Sequence, residues 1–138
     1  MAETVPIRDA ATVILVRDPG GAPSVLMGQR GASAAFMPSK FVFPGGAVDD
    51  DDAVVPLASP LPERCQCALS DQNPGPTPGT LAIAAVRELF EETGLILGRP
   101  GSWDTPPPPD WESFAATGYV PHAAPLQFNF RALTPPGR

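Results

Sequence analysis

Glu88, Glu91 and Glu92, with Arg87 before them and Gly94 after, are the densest set of chemically capable side chains in the sequence. On a helix advancing ~100° per residue, the three glutamates fall within roughly 100° of arc. Like charges at this spacing repel by roughly 0.2–0.5 kcal/mol per pair, so something must offset them. Arg87 neutralises part of the charge, and a hard divalent cation such as Mg²⁺, bound through oxygen ligands, would neutralise more. The alternative is a solvated acidic helix face. Against that reading, Ile83, Val86 and Phe90 form one apolar stripe and Leu81, Ala85 and Leu89 a second. A helix covered on two sides leaves only a narrow strip for its carboxylates.

The elements that would hold these residues can be read from hydrophobic period and turn chemistry. A helix is predicted from about Leu81 to Glu92, with Thr80 as N-cap and Gly94 as its stop. Upstream, Ala10 to Arg17 and Ser24 to Arg30 read as two strands of a hairpin turned at Pro19-Gly20-Gly21. Lys40 to Phe43 reads as a third short strand entering a Pro44-Gly45-Gly46 turn, where glycines allow a sharp turn and close approach to a ligand. Residues 50 to 79 read as an insertion ending in a Pro/Gly-rich loop. Beyond the helix, Leu95 to Leu97 and Leu126 to Leu133 read as strands, and Asp110 to Thr117 as a short helix. Strands first, then one central helix, then mixed elements point to an α+β protein.

The run Arg87-Glu88-Leu89-Phe90-Glu91-Glu92-Thr93-Gly94-Leu95, taken with Gly46 and its Pro44-Gly45 lead-in, resembles the signature of the Nudix hydrolases. That signature is a Gly, five residues, a Glu, seven residues, then Arg-Glu-aliphatic-any-Glu-Glu-any-Gly-aliphatic. Its second half matches here at every fixed position. Arg87 lies 41 positions after Gly46, about 27 more than the pattern needs, so an insertion sits inside the motif. A long insertion at this place resembles the branch that includes the Nudix 19-type coenzyme A diphosphatases and bacterial relatives. Asp52 stands at the spacing of the motif's middle Glu, but as an aspartate in an acidic run it is a weak substitute.

The resemblance implies a single Nudix domain over residues 1–138, built as an α/β/α sandwich around a mixed β-sheet. About 40 residues follow Gly94, fewer than in relatives, so the sheet is expected to be incomplete at the C-terminus. It implies Mg²⁺-dependent hydrolysis of a diphosphate linkage in a small nucleoside diphosphate derivative, with Mn²⁺ able to substitute and coenzyme A or acyl-coenzyme A the first substrate guess. Glu88, Glu91 and Glu92 would be the metal ligands, and Glu88, Glu91 and Arg87 the catalytic set. Arg87 is expected to pair with a carboxylate. Arg30, Gly45 and Gly46 would face substrate, with Gln29 and Lys40 as further sources of polarity and positive charge. A catalytically silent Nudix-like nucleotide-binding or regulatory domain is the rival reading; retention of all three glutamates argues for the enzyme.

Other features bound the answer. A chain of 138 residues supports one core. Its 20 prolines mark loops. A net charge of −6 argues against binding nucleic acid through its backbone. No apolar run approaches the ~20 residues that cross a bilayer, and Met1-Ala2-Glu3-Thr4 lacks a secretory signal's basic and apolar regions, so a cytoplasmic protein is expected. Cys65-x-Cys67 has the wrong spacing for structural zinc and reads as free thiols. His122 stands alone in loop sequence. Trp103 and Trp111 read as core or loop anchors in preference to base-stacking platforms, and the four aspartates from Asp49 to Asp52 as a solvated loop.

Overall fold

The computed structural model describes residues 6–34, 38–71 and 73–133. The Met1–Thr4 run and the terminal Thr134–Arg138 run lie outside them. The first two N-terminal strands expected from the sequence are each present as two short pieces, and the third, expected over Lys40 to Phe43, is followed by a further strand where a turn was expected. The first gives β1 (Ala10–Thr12) and β2 (Val16–Arg17), the second β3 (Ser24–Val25) and β4 (Gly28–Gln29), and the third β5 (Phe41–Val42), with β6 (Gly45–Ala47) after it. They pair antiparallel as β1–β6, β2–β3 and β4–β5. Amide bonds from Val13 to the Pro44 carbonyl, Leu26 to Leu15 and Arg30 to Lys40 extend the ladders past the named strands. Each segment thus meets both others, one with each half.

Gly45 and Gly46 are not a turn. Both lie inside β6, Gly45 opposite Thr12 and Gly46 opposite Ala11, and neither has positive φ. The bend falls one residue earlier, at Pro44.

The acidic run is structured as well. Asp50–Val54 forms a 3-10 turn with Asp52 buried beneath it. The insertion then folds into α1 (Glu63–Ser70), ahead of its Pro/Gly-rich exit, an element that the sequence does not announce. Cys65 and Leu69, four apart, give α1 an inward face; Cys65 is buried with Leu61, which precedes the helix, and with Ala82 and Ala123, and Leu69 packs against them.

The central helix is α2 (Pro78–Thr93). Its N-cap is Thr77, not Thr80: the Thr77 hydroxyl accepts the Thr80 amide at 3.2 Å, and Pro78 takes the first turn, where its missing N–H costs nothing. Gly94 ends it in the left-handed conformation, φ 75°, its amide bonded to the Phe90 carbonyl at 2.8 Å. Ala82 to Arg87 and Leu89 are all buried, so the helix is covered on more than one side as its two stripes require. One side packs on β1 and β6 and another on the 3-10 turn and α1. Ile83 and Val86 join Val55, Trp111 and Phe114 in the main core, with Phe90 packed against it.

After α2 the expected strand at Leu95–Leu97 is displaced to β7 (Gly98–Pro100), the first three residues serving as the exit from the Gly94 cap. A short turn at Pro109–Trp111 leads into α3 (Glu112–Ala115), close to the predicted helix. Then β8 (Tyr119–Pro121) pairs antiparallel with β7. No strand forms at Leu126–Leu133. That segment runs back to α1: the Phe128 amide donates to Cys65 Sγ at 3.2 Å, and Arg131 donates to the carbonyls of Leu69 and Asp71 at 2.9 and 3.2 Å. Helices and small antiparallel strands together make the α+β fold that the element order predicted.

Candidate active site

Strand β6 and helix α2 approach so closely that one residue of each shares the same space. A Cβ added to Gly46 would fall on the Glu88 carboxylate, 2.8 Å from Oε2 and closer still to Cδ and Oε1. Gly46 therefore leaves the room that the end of the Glu88 side chain occupies, and its own backbone is ordinary. Gly45 has a different neighbour: a Cβ there would meet the Ala11 carbonyl and the Thr12 side chain of β1. Its immediate role is close strand packing.

Arg87 organises the cluster. It is buried at 4% exposure, and every hydrogen-bonding nitrogen of its guanidinium is used. Nε and Nη2 grip Asp52 Oδ1 and Oδ2 at 2.9 and 3.1 Å, a two-pronged fit that an aspartate and an arginine make well. Nη2 also donates to the Ala47 carbonyl of β6 at 2.9 Å. Nη1 reaches Glu88 Oε1 at 3.0 Å, Glu91 Oε2 at 3.3 Å and Asp49 Oδ2 at 3.5 Å. One cation thus ties β6, the 3-10 turn and two of the three helix glutamates together, in the pairing role expected of it.

Asp52 is the residue the sequence reading undervalued. It is 1% exposed, and its two oxygens accept from Arg87, from the Asp49 amide at 2.9 Å and from the Trp111 indole at 3.4 Å. The acidic run is consequently not a uniformly solvated loop: Asp50 and Asp51 are exposed, whereas Asp52 is an interior ion-pair partner. Its spacing from Gly46 was the available signal.

Negative charge exceeds positive in this cluster. Asp49, Asp52, Glu88 and Glu91 share one guanidinium, and Glu92 adds its field to Glu88. Burial raises the Glu88 pKa above the ordinary carboxylate value; Arg87 pulls it back, and Glu92 and Asp49 push it up further. Glu91 is raised for the same first reason, with Arg87 opposing and Glu88 adding. Burial alone would lower the Arg87 pKa, but the hydrogen bond and charge of Asp52, then Glu88 and Asp49, hold it above its usual value. The donor set of hard oxygens and its charge excess fit a hard divalent cation. Among the described residues no three acidic, His or Cys side chains are arranged as a ready-made metal cage; Asp49, Glu88 and Glu91 instead gather around Nη1 of Arg87. Glu92 is exposed.

Beside the cluster, an open cleft of about 520 Å³ is lined by Ile7, Arg8, Asp9, Val48, Asp49, Asp50 and Pro76. Arg8 is its one basic lining residue and was not singled out from the sequence. Arg30, half-buried, follows β4 on the β4–β5 ribbon, so it stands on a different strand pair from Gly46. Cys65 and Cys67 are free thiols, the first buried in the α1 interface. Trp111 is fully buried, and Trp103 donates its indole N–H to the Tyr119 carbonyl at 2.9 Å, as anchoring residues would.

No model of a known protein family matches the chain. It is similar to the acyl-coenzyme A diphosphatase NUDT19 of Gallus gallus, 34% identical over 125 residues, and to the putative nudix hydrolase 7 of Caenorhabditis elegans, 40% identical over 98. These alignments take in 68% and 71% of this chain but 33% and 25% of those proteins, so the chain spans a third or less of the curated relatives it matches. A NUDIX hydrolase from Alicyclobacillus acidocaldarius, known from its crystal structure, shares the fold with a TM-score of 0.62 and 31% identity, over 89% of this chain and 60% of that one. Sequence relatives and a solved fold agree: this chain belongs to the Nudix hydrolase family.

Proposed function

We propose that the chain is a Mg²⁺-dependent hydrolase that cleaves the diphosphate linkage of a small nucleoside diphosphate derivative, with coenzyme A or an acyl-coenzyme A as substrate. The observation that carries this reading is the Arg87 cluster, in which Glu88 is pressed against Gly46 with more carboxylate charge around it than one arginine neutralises. The relative named as an acyl-coenzyme A diphosphatase supplies the substrate class.

Glu88, Glu91 and Glu92 are the residues that would hold Mg²⁺, or Mn²⁺ in its place. The metal would screen the charge of the diphosphate and lower the pKa of the attacking water. Arg87 fixes the rotamers of Glu88 and Glu91, and Asp52 fixes Arg87. A glutamate of this set accepts the proton that water loses. The cleft beside Asp49 receives the substrate, with Arg8 facing its anionic groups; Arg30, Gly45 and Gly46, which the family resemblance would turn toward substrate, do not line that cleft. On this reading residues 1–138 act as one Nudix domain in the cytoplasm on a small-molecule partner; among the described residues no helix is long and apolar enough to cross a membrane.

A second reading, a silent binding domain, is favoured by one observation: Glu88 and Glu91 both bond Arg87. A mass-spectrometric screen separates the two. Coenzyme A, acyl-coenzyme A, dinucleotides and nucleotide sugars would each be incubated with the chain and Mg²⁺. Cleavage confined to the coenzyme A class is the expected result; binding without cleavage of any class supports the silent domain.

A further inference from the structure

We propose that Trp111 is a positioning residue for the carboxylates of α2, acting through Asp52 and Arg87. The inference rests on the reading of that cluster as a metal-dependent site.

Trp111 lies 59 positions from Asp52 in the chain, outside the Nudix signature, yet its Nε1–H donates to Asp52 Oδ1 at 3.4 Å. Both side chains are buried, Trp111 at 0% and Asp52 at 1% exposure. Oδ1 then carries the Arg87 Nε and Trp111 donors, and Oδ2 carries Arg87 Nη2 and the Asp49 amide. A carboxylate has about four acceptor sites, so all of them are filled and the plane of Asp52 is fixed. A fixed Asp52 fixes the guanidinium, which directs Nη1 at Glu88 and Glu91.

A second route runs through ring contacts. Trp111 meets Phe114 edge to face at 5.1 Å, and Phe114 meets Phe90 the same way at 5.2 Å. Phe90 sits on α2 between Glu88 and Glu91. One indole therefore braces the helix surface from the core side while its N–H braces Arg87 from the loop side. Aspartate is one methylene shorter than the glutamate of the family signature, and a donor from the core helps to hold the shorter side chain in place.

The test uses the whole chain and Trp111→Phe, which keeps a ring in the core and removes the N–H. Mn²⁺ affinity by electron paramagnetic resonance should fall roughly 5-fold, below the 10–100-fold typical of residues that touch metal ligands directly. The chain has two tryptophans, so its two indole N–H signals can be assigned by nuclear magnetic resonance with Trp103→Phe. Adding Mg²⁺ to the wild-type chain should move the Trp111 signal more than that of Trp103, whose ring lies 5.9 Å from that of Trp111 but whose N–H bonds the Tyr119 carbonyl. A Trp111 residue that only fills the core would show neither effect. Should Trp111→Phe fail to fold, benzothienylalanine at the position, which replaces N–H by sulfur in the same bicycle, makes the comparison. Unchanged Mn²⁺ affinity, or a Trp111 signal that ignores Mg²⁺, overturns the proposal alone. A wild-type chain that binds no Mn²⁺ overturns both the proposal and the metal reading on which it rests.

Discussion

The Glu88 carboxylate occupies the space that a side chain on Gly46 would need. This contact ties the two halves of the interrupted signature together across the insertion, because Gly46 stands in β6 and Glu88 on α2. Gly46→Ala should therefore act on Glu88 and not on the backbone, whose φ is ordinary for any residue. Displacing a reacting group by about 1 Å commonly costs about 100-fold in rate. We expect a loss of that order in kcat, with helical content by circular dichroism unchanged. Wild-type rates in this variant would mean that the Glu88 position is not critical.

Asp52→Ala should be the most damaging single change in the cluster. It leaves the buried Arg87 without the partner that fills its Nε and Nη2. Breaking a buried pair by removing one member costs about 3–5 kcal/mol. Urea denaturation would measure it. Arg87→Met in the same background should recover part of the loss, since it removes the stranded charge; a double variant no more stable than Asp52→Ala would contradict the ion-pair account.

The raised carboxylates predict a pH dependence of stability. A carboxylate with a folded pKa above its unfolded value near 4.5 contributes stability below that value, and the contribution is lost as pH rises through the folded pKa. Glu88 and Glu91 are both of this kind. In EDTA, the melting temperature of the wild-type chain relative to Glu88→Gln should fall as pH goes from about 4 to about 7. Mg²⁺ should reverse that fall at the upper end, because it binds the ionised form. A difference between the two proteins that is flat with pH would remove the basis for this prediction.

Arg131 predicts a local effect. Its two hydrogen bonds close the carbonyl end of α1. Both are exposed, so Arg131→Ala should cost no more than about 1 kcal/mol. Hydrogen exchange should quicken in α1 while α2 stays protected. Equal quickening in both helices would mean that the insertion and the signature helix open as one unit.

The legibility of this fold tracks how local each cause is. Helix α2 was readable because its stripes, Gly94 and the Arg87–Leu95 run are all contained in one short segment. Its start was read at Thr80 where Thr77 caps it; Pro78, suited to the first turn, was the discriminating signal. Helix α1 is not announced by the sequence, because it lies in an insertion read only at its Pro/Gly-rich exit, although Cys65 and Leu69 at four-residue spacing mark a face. The period-2 pattern of Leu126, Phe128 and Phe130 predicted a strand, but a strand also needs a ladder partner, and this segment finds α1 instead. At the site, Glu88, Glu91 and Arg87 could be read together from their spacing. The burial of Asp52 could not, since it depends on partners 35 and 59 positions away.

The central claim is that the α2 carboxylates drive metal-dependent diphosphate hydrolysis, and Glu92→Gln tests it most directly. The exchange removes a charge at nearly constant shape from an exposed residue, so the fold should persist. Phosphorus nuclear magnetic resonance would follow coenzyme A with Mg²⁺ and either protein. The account predicts that the diphosphate signals give way to monophosphate signals with the wild-type chain and stay intact with the variant. Equal turnover by both, or none by a folded wild-type chain, would contradict it.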